Sequence, residues 1–336
     1  MAEPATFDAR GIALDGERCL GRLVRDDGAF LYAYDADTRD EVREYDLIRH
    51  AMACWGIGRV ANELGGLDAE RAAAHRAMTW LVDGYSHAMG RARCVVQGDS
   101  IFLGASALTA LALIELAANG EAGARHLESA QQYVDFVLAC REPDGDFIHR
   151  IDTRNVEIDP WRSNFYTGQG LLALVRCSQA TSQAKYLDAA AEMIAGFEPR
   201  NYGVDVHSHW MAHALSALHR STGEDRLVAY AGRIVKRIID EPHYRQVDSS
   251  SALACRAEAL GAYGEMLVRT EGRTTGPRWA DVMTAMRHDL ALLTAYRLDD
   301  GAFLMNSTGR LVQIDIIQHA ALAYFAYARL SDRHID

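Results

Sequence analysis

A chain of 336 residues, 49% hydrophobic and 24% charged, is long enough to bury a sizeable core. Its formal net charge of −11 weighs against nucleic acid or an anionic membrane as partner, since either would meet a broadly acidic face. With only 6 prolines, long uninterrupted helices are permitted.

The amino-terminal stretch MAEPATFDARG lacks the basic-then-apolar pattern of a secretory leader, and no apolar run has the length of a membrane span. The cysteines, at 19, 54, 94, 140, 177 and 255, form no CxxC pair and mostly sit in apolar helical runs. They are expected to be core thiols in a cytoplasmic protein.

Helical periodicity predicts an amphipathic helix over 8–25 and then an Ala/Gly-rich helix, apolar almost all round, over 46–60. The alternation continues along the chain. Amphipathic helices are expected at 68–88, 122–141, 182–196, 224–240 and 277–296, and apolar ones at 99–117, 161–177, 205–219, 249–267 and 315–330. A helix apolar on every side must be buried on every side, and an amphipathic one covers it from outside. The pattern predicts one all-α domain over 1–336, an inner ring of helices within an outer ring.

Links from inner to outer helices are short turns such as Gly65-Gly66, Asn119-Gly120 and Ser221-Thr222-Gly223, whereas the links at 26–45, 142–160 and 297–314 are long. Long ordered loops usually carry function, so the long-loop rim is where a site is expected. Three of these loops begin alike, as Asp27-Gly28-Ala29-Phe30, Asp144-Gly145-Asp146-Phe147 and Asp300-Gly301-Ala302-Phe303. Asp-Gly makes a tight turn, and the Phe that follows can plug between hairpins. An internal repeat of this kind in a helical chain favours a closed ring.

In this alternation the chain resembles the (α/α)6 toroid class, which includes six-hairpin glycosidases, sugar epimerases, terpenoid cyclases and protein prenyltransferases. The DGxF turns are similar to the Asp-Gly-aromatic turn of the terpenoid cyclase repeat, without its preceding Gln. The resemblance implies architecture more than chemistry. The chain has no Asp-x-Asp-Asp acid motif, no DDxxD motif and no His-Cys-Cys zinc set of the lanthionine cyclase type.

The strongest local signal is Asp-x-x-x-His at the start of an apolar helix, three times over: Asp46 and His50, Asp205 and His209, Asp315 and His319. Residues four apart share a helical face, so each Asp is expected one turn above its His at the ring mouth. An Asp at a helix start is also a common cap, with the His as its partner. Histidine is nevertheless a poor filler for an apolar inner ring, and a carboxylate beside imidazole is the usual way to orient a general base. Glu258, inside SSALACRAEALGAYGEML with Arg256 nearby, is expected to be either a helix-locking ion pair or a further acid.

Around these, Tyr45 and Arg49 are expected to bind substrate at the mouth, Arg49 as an anion anchor. Arg162 in DPWRSNFY has a similar potential role, after Asp159-Pro160 as an N-cap with Pro at the first helical position. Asp99 is expected at the rim of the second inner helix, His207 beside its pair, and Trp161, Tyr166 and Trp210 as aromatic platforms or wedges. Asp205, His209 and His213 have i, i+4, i+8 spacing, but no HExxH accompanies them, so no metal and no cofactor are expected. These residues point to an enzyme acting on a carbohydrate or uronate-like small molecule or oligosaccharide by acid–base chemistry: hydrolysis, elimination or epimerisation. A terpenoid-type cyclase with an aromatic-lined barrel and a non-catalytic binding toroid are the alternatives.

Overall fold

The computed structural model describes residues 7–42, 44–117, 120–155 and 157–333; Asn119 of the Asn119-Gly120 turn lies outside them. Twelve helices alternate along the described chain. The outer set is α1 (Ala9–Leu23), α3 (Asp68–Tyr85), α5 (Glu121–Ala139), α7 (Ala184–Phe197), α9 (Asp225–Asp240) and α11 (Trp279–Leu293). The inner set is α2 (Leu47–Leu64), α4 (Leu103–Leu116), α6 (Tyr166–Thr181), α8 (His209–Thr222), α10 (Ser250–Arg269) and α12 (Ile314–Ser331).

The two sets differ as the pattern of apolar residues requires. Every residue of α4 is buried, whereas α9 buries Leu227, Tyr230, Ile234 and Ile238 and turns its charges outward. Each inner helix packs on the next, and α12 packs back on α2, which closes the ring. Gly168 permits one of these approaches. A Cβ there would lie 2.7 Å from backbone atoms of Trp210 and Met211, so α6 reaches the start of α8 only without a side chain at this point.

The three DGxF turns are one device used three times. Asp27, Asp144 and Asp300 each accept the amide N–H two residues on, at 3.0, 3.0 and 3.1 Å. Gly28, Gly145 and Gly301 take the positive φ that this turn needs, at 96°, 91° and 86°. Phe30, Phe147 and Phe303 are fully buried and pair by single bridges with Val24, Arg141 and Arg297. Each turn thus seals the end of an outer helix and starts the return to the inner ring.

The strands are where the helical reading overran. A five-stranded antiparallel sheet runs in the order β2 (Ser86–Met89), β3 (Ala92–Gln97), β4 (Ser100–Phe102), β5 (Arg150–Asp152), β6 (Glu157–Asp159). It takes the end of the expected 68–88 helix, the start of the expected 99–117 helix and much of the 142–160 loop. Adjacent Val95 and Val96, and a turn with Gly90 at positive φ, favour a hairpin here. A further strand pair, β1 (Ala33–Asp35) with β7 (Leu311–Gln313), joins the first and last loops of the rim. Among the described residues no helix is long and apolar enough to cross a membrane.

Candidate active site

At the long-loop rim, Asp46 caps α2 by accepting the N–H groups of Ile48 and Arg49 at 2.7 and 3.3 Å. The cap aims Arg49 across the seam between α2 and α12. Its Nε donates to Asp315 Oδ2 at 2.8 Å and its Nη1 to the Tyr32 hydroxyl at 2.8 Å. Asp315 Oδ1 is buried with no hydrogen-bond partner among the described residues. One turn deeper on α12 stands His319.

Below this pair lies a polar cluster inside an otherwise apolar ring. His319 Nδ1 donates to Glu258 Oε1 at 2.6 Å, and His213 Nε2 donates to Glu258 Oε2 at 3.1 Å. Glu258 is 1% exposed, and each of its oxygens accepts from an imidazole. The His209 ring stands perpendicular to that of His319, with centroids 5.2 Å apart. Its Nε2 is buried and has no hydrogen-bond partner among the described residues. Cys255 lies one turn before Glu258 on α10, and one ligand-type atom from each of His209, Cys255, Glu258 and His319 lies within 4.8 Å of the other three. Buried Trp55 and Trp210, centroids 5.3 Å apart, wall one side.

Each charge here depends on the others. Burial by itself would raise the Glu258 carboxyl, but His319 and His213 outweigh it and hold the group well below the usual carboxylate range. Burial would likewise lower His319, yet Cys255 and Glu258 hold it well above the ordinary imidazole value. Cys255 comes down to about 6: desolvation raises it, and His209 and His319 more than offset that. Burial lowers His213 despite its bond to Glu258. Mutual stabilisation thus favours a carboxylate on Glu258, a thiolate on Cys255 and an imidazolium on His319, while burial favours the neutral form of His213. Such a set can donate and accept protons within one small volume.

Of the sequence-predicted residues, the structure gathers His209, Glu258 and His319 here, with His213 beside them. Asp46, Arg49 and Asp315 meet at the mouth above the cluster and Trp210 walls it, while the rest lie elsewhere. His50 is fully buried between α2 and α3, stacked on Trp80; its Nδ1 accepts from the Tyr45 hydroxyl at 2.7 Å and its Nε2 donates to the Ala77 carbonyl at 2.9 Å. Tyr45 in turn accepts from the Phe30 N–H at 2.9 Å, so both residues serve the first DGxF turn. Asp205 is exposed and faces Arg237 at 3.8 Å. Helix α8 begins at His209 with Ser208 as its cap, so Asp205 and His209 do not share a helical face as the spacing suggested.

Asp99 stands exposed in the β3–β4 turn beside Arg154, not at the start of α4. Asp159 accepts the Trp161 N–H but ends β6, and α6 starts only at Tyr166. Arg162 pairs with Glu142. Trp161 is exposed and meets buried Tyr166 edge-on at 5.6 Å, whereas Trp210 is a buried wedge. His207 is buried at positive φ, and Arg256 donates to its Nδ1 at 3.5 Å. Cys255 escaped the sequence reading, because a cysteine in an apolar helix looks like a core filler. Its position three residues before Glu258, the carboxylate inside the apolar part of that helix, was the available signal.

Towards the opposite end of the inner helices is a separate cavity of about 70 Å³, lined by residues that include Arg59, Glu115, Arg176 and Glu265. His213 contributes to its wall and divides it from the cluster.

No protein-family model and no curated relative matches the chain. Solved structures do. A D-mannose isomerase superposes with a TM-score of 0.72 at 12% identity, over 98% of this chain and 99% of its own. The fold is the (α/α)6 toroid. A cellobiose 2-epimerase from Bacillus thermoamylovorans B4167 gives 0.72 at 12% identity, over 95% and 98% of the two chains. An unsaturated glucuronyl hydrolase specific for heparin gives 0.68 at 11%, over 98% and 99%. Likeness at this level of identity is likeness of fold, and the chemistry is argued from the site itself.

Proposed function

We propose that the chain acts on a sugar-like substrate at the long-loop mouth of the ring, by proton transfer at a carbon next to a carbonyl, as in epimerisation or isomerisation. The observation that carries this reading is the pair of perpendicular imidazoles, His209 and His319, with Glu258 orienting the second. In such a reaction one base removes the proton α to the carbonyl of the open-chain sugar, leaving an enediolate. A second acid returns a proton to the opposite face, giving the epimer, or to the neighbouring carbon, giving the isomer. Two imidazoles converging on one volume fit that exchange, and the Nε2 of His209 has no hydrogen-bond partner among the described residues to compete for it.

Glycosidic hydrolysis fits less well. It calls for two carboxyl groups about 5–9.5 Å apart, one of them kept protonated as the acid. The cluster offers one carboxylate, Glu258, and its histidines hold it ionised. Asp46 caps a helix, and Asp315 is held by Arg49. Three other proteins of this fold, a mannose isomerase, a cellobiose epimerase and a sugar epimerase from a ruminal bacterium, carry names that match the proton-transfer reading. Arg49 and Asp315 would hold the polar end of the substrate above the cluster, with Trp161, backed by buried Tyr166, as aromatic surface at the rim. A terpenoid cyclase would need an aromatic and aliphatic cavity, which this charged cluster opposes.

The test is product analysis. Purified protein is incubated with aldoses, ketoses, uronates and short oligosaccharides, and the products are separated. An epimer or isomer of an added sugar is expected. Release of a new reducing end with no change in configuration would replace this reading with a hydrolytic one.

A further inference from the structure

The cluster has a second chemical character, which follows from its donor set. One sulfur, one carboxylate oxygen and two imidazole nitrogens, from His209, Cys255, Glu258 and His319, come within 4.8 Å of one another on the three neighbouring inner helices α8, α10 and α12. Ligand atoms around a tetrahedral zinc ion lie about 3.5 Å apart, so side-chain adjustments of about an ångström would complete the shell. His209 supplies the observation independent of the cysteine: it is 2% exposed, and its Nε2 has no hydrogen-bond partner among the described residues. A buried imidazole with an unpartnered ring nitrogen, grouped with a thiol and a carboxylate, is a ligand open to a Lewis acid.

We propose that His209, Cys255, Glu258 and His319 bind one thiophilic divalent cation of the zinc class, and that this cation inhibits the enzyme. The inhibition rests on the proton-transfer reading above; the binding does not. Thiolate and carboxylate together neutralise the charge of the ion, which a buried site requires. Sulfur and imidazole donors select zinc or cobalt over magnesium and calcium, which prefer oxygen shells. His213 donates to the far oxygen of Glu258 and would steady that ligand from behind. Binding would release to solvent any proton on the ligating nitrogen of His319 and on the Cys255 sulfur, the N–H and S–H bonds giving way to bonds to the ion. The ion would take up the lone pairs that proton transfer needs.

The test uses cobalt as the spectroscopic probe. Protein dialysed against chelator is titrated with Co²⁺, and a thiolate-to-cobalt charge-transfer absorption is expected to saturate at one equivalent. Zn²⁺ should displace it, and Mg²⁺ at a hundredfold excess should not. Cys255→Ser keeps the size of the side chain and should abolish the charge-transfer band, and His209→Ala should weaken binding at least tenfold, with circular dichroism confirming that both variants are folded. Absence of the band in wild type, or its persistence in Cys255→Ser, overturns the site. If the band forms and stoichiometric Zn²⁺ leaves turnover unchanged, the inhibitory role fails. If wild type turns over no sugar at all, the proton-transfer reading fails, while the absorption titration still decides the metal site.

Discussion

Glu258 and His319 form a buried pair, Oε1 to Nδ1 at 2.6 Å, that ties α10 to α12 inside a ring of apolar helices. A charge placed there survives only because its partner is also there, and removing one member strands the other. Glu258→Gln keeps the shape but takes away the charge that orients and protonates His319. The account predicts a fall in kcat of about 10²–10⁴-fold, the range of a lost general acid or base, and a loss of up to about 3–5 kcal/mol in stability. Steady-state kinetics and urea unfolding of the same preparation measure both. Unchanged kcat in a folded variant would remove Glu258 from the chemistry.

Arg49 and Asp315 are joined at 2.8 Å at the mouth, one turn above His319. Their assigned task is to hold substrate, so Arg49→Ala should raise KM about tenfold or more while kcat falls less, the pattern of lost uniform binding. Arg49 is half-buried and Asp315 nearly buried, so the variant strands a carboxylate, and the cost in stability should be about 1–3 kcal/mol. A fall in kcat alone would give Arg49 a different role.

Phe147 is fully buried in the second DGxF turn, against Gly170 of α6. Phe147→Ala should cost about 3–5 kcal/mol by leaving a cavity that two packed helices cannot close. Chemical denaturation of the variant gives this value directly, and a cost below 1 kcal/mol would contradict the plug assigned to this residue.

His50 gives a pH dependence of known sign. Its ordinary value is 6.5, and burial brings it down to about 4 in the folded chain. Between those two values the unfolded chain binds a proton that the folded chain refuses. The contribution is therefore fully present above about pH 6.5 and is lost as the pH falls towards 4. The gap corresponds to about 3 kcal/mol. Urea unfolding at pH 7 and at pH 4.5 should show the loss, and His50→Gln should flatten that part of the profile. An equal slope in both proteins would place the acid sensitivity elsewhere.

How much of this was legible beforehand follows from the range of the interactions involved. The alternation of apolar and amphipathic helices and the DGxF turns are local patterns, and the ring follows from them. The β-sheet pairs Ser100 with Asp152, across fifty residues, and local periodicity carries no trace of such a pairing. His209, Glu258 and His319 stood out because polar groups are conspicuous in apolar helices. Cys255 did not, since the same logic reads cysteine as filler. The pairing of Asp205 with His209 failed on a single detail: Ser208 caps α8, so the helix starts four residues after Asp205. Asp46 and His50 do share a helix, but Tyr45 takes the imidazole first.

The central claim is that His209 and His319 exchange protons with a sugar carbon. The most direct measurement is turnover in D₂O of whichever sugar the product screen identifies, followed by NMR for deuterium at the carbon beside the carbonyl. Wild type should incorporate one solvent deuteron there per turnover, and His209→Gln and His319→Gln should lose the incorporation while remaining folded. Product formed with no deuterium at that carbon, or incorporation undiminished in both variants, would contradict the account.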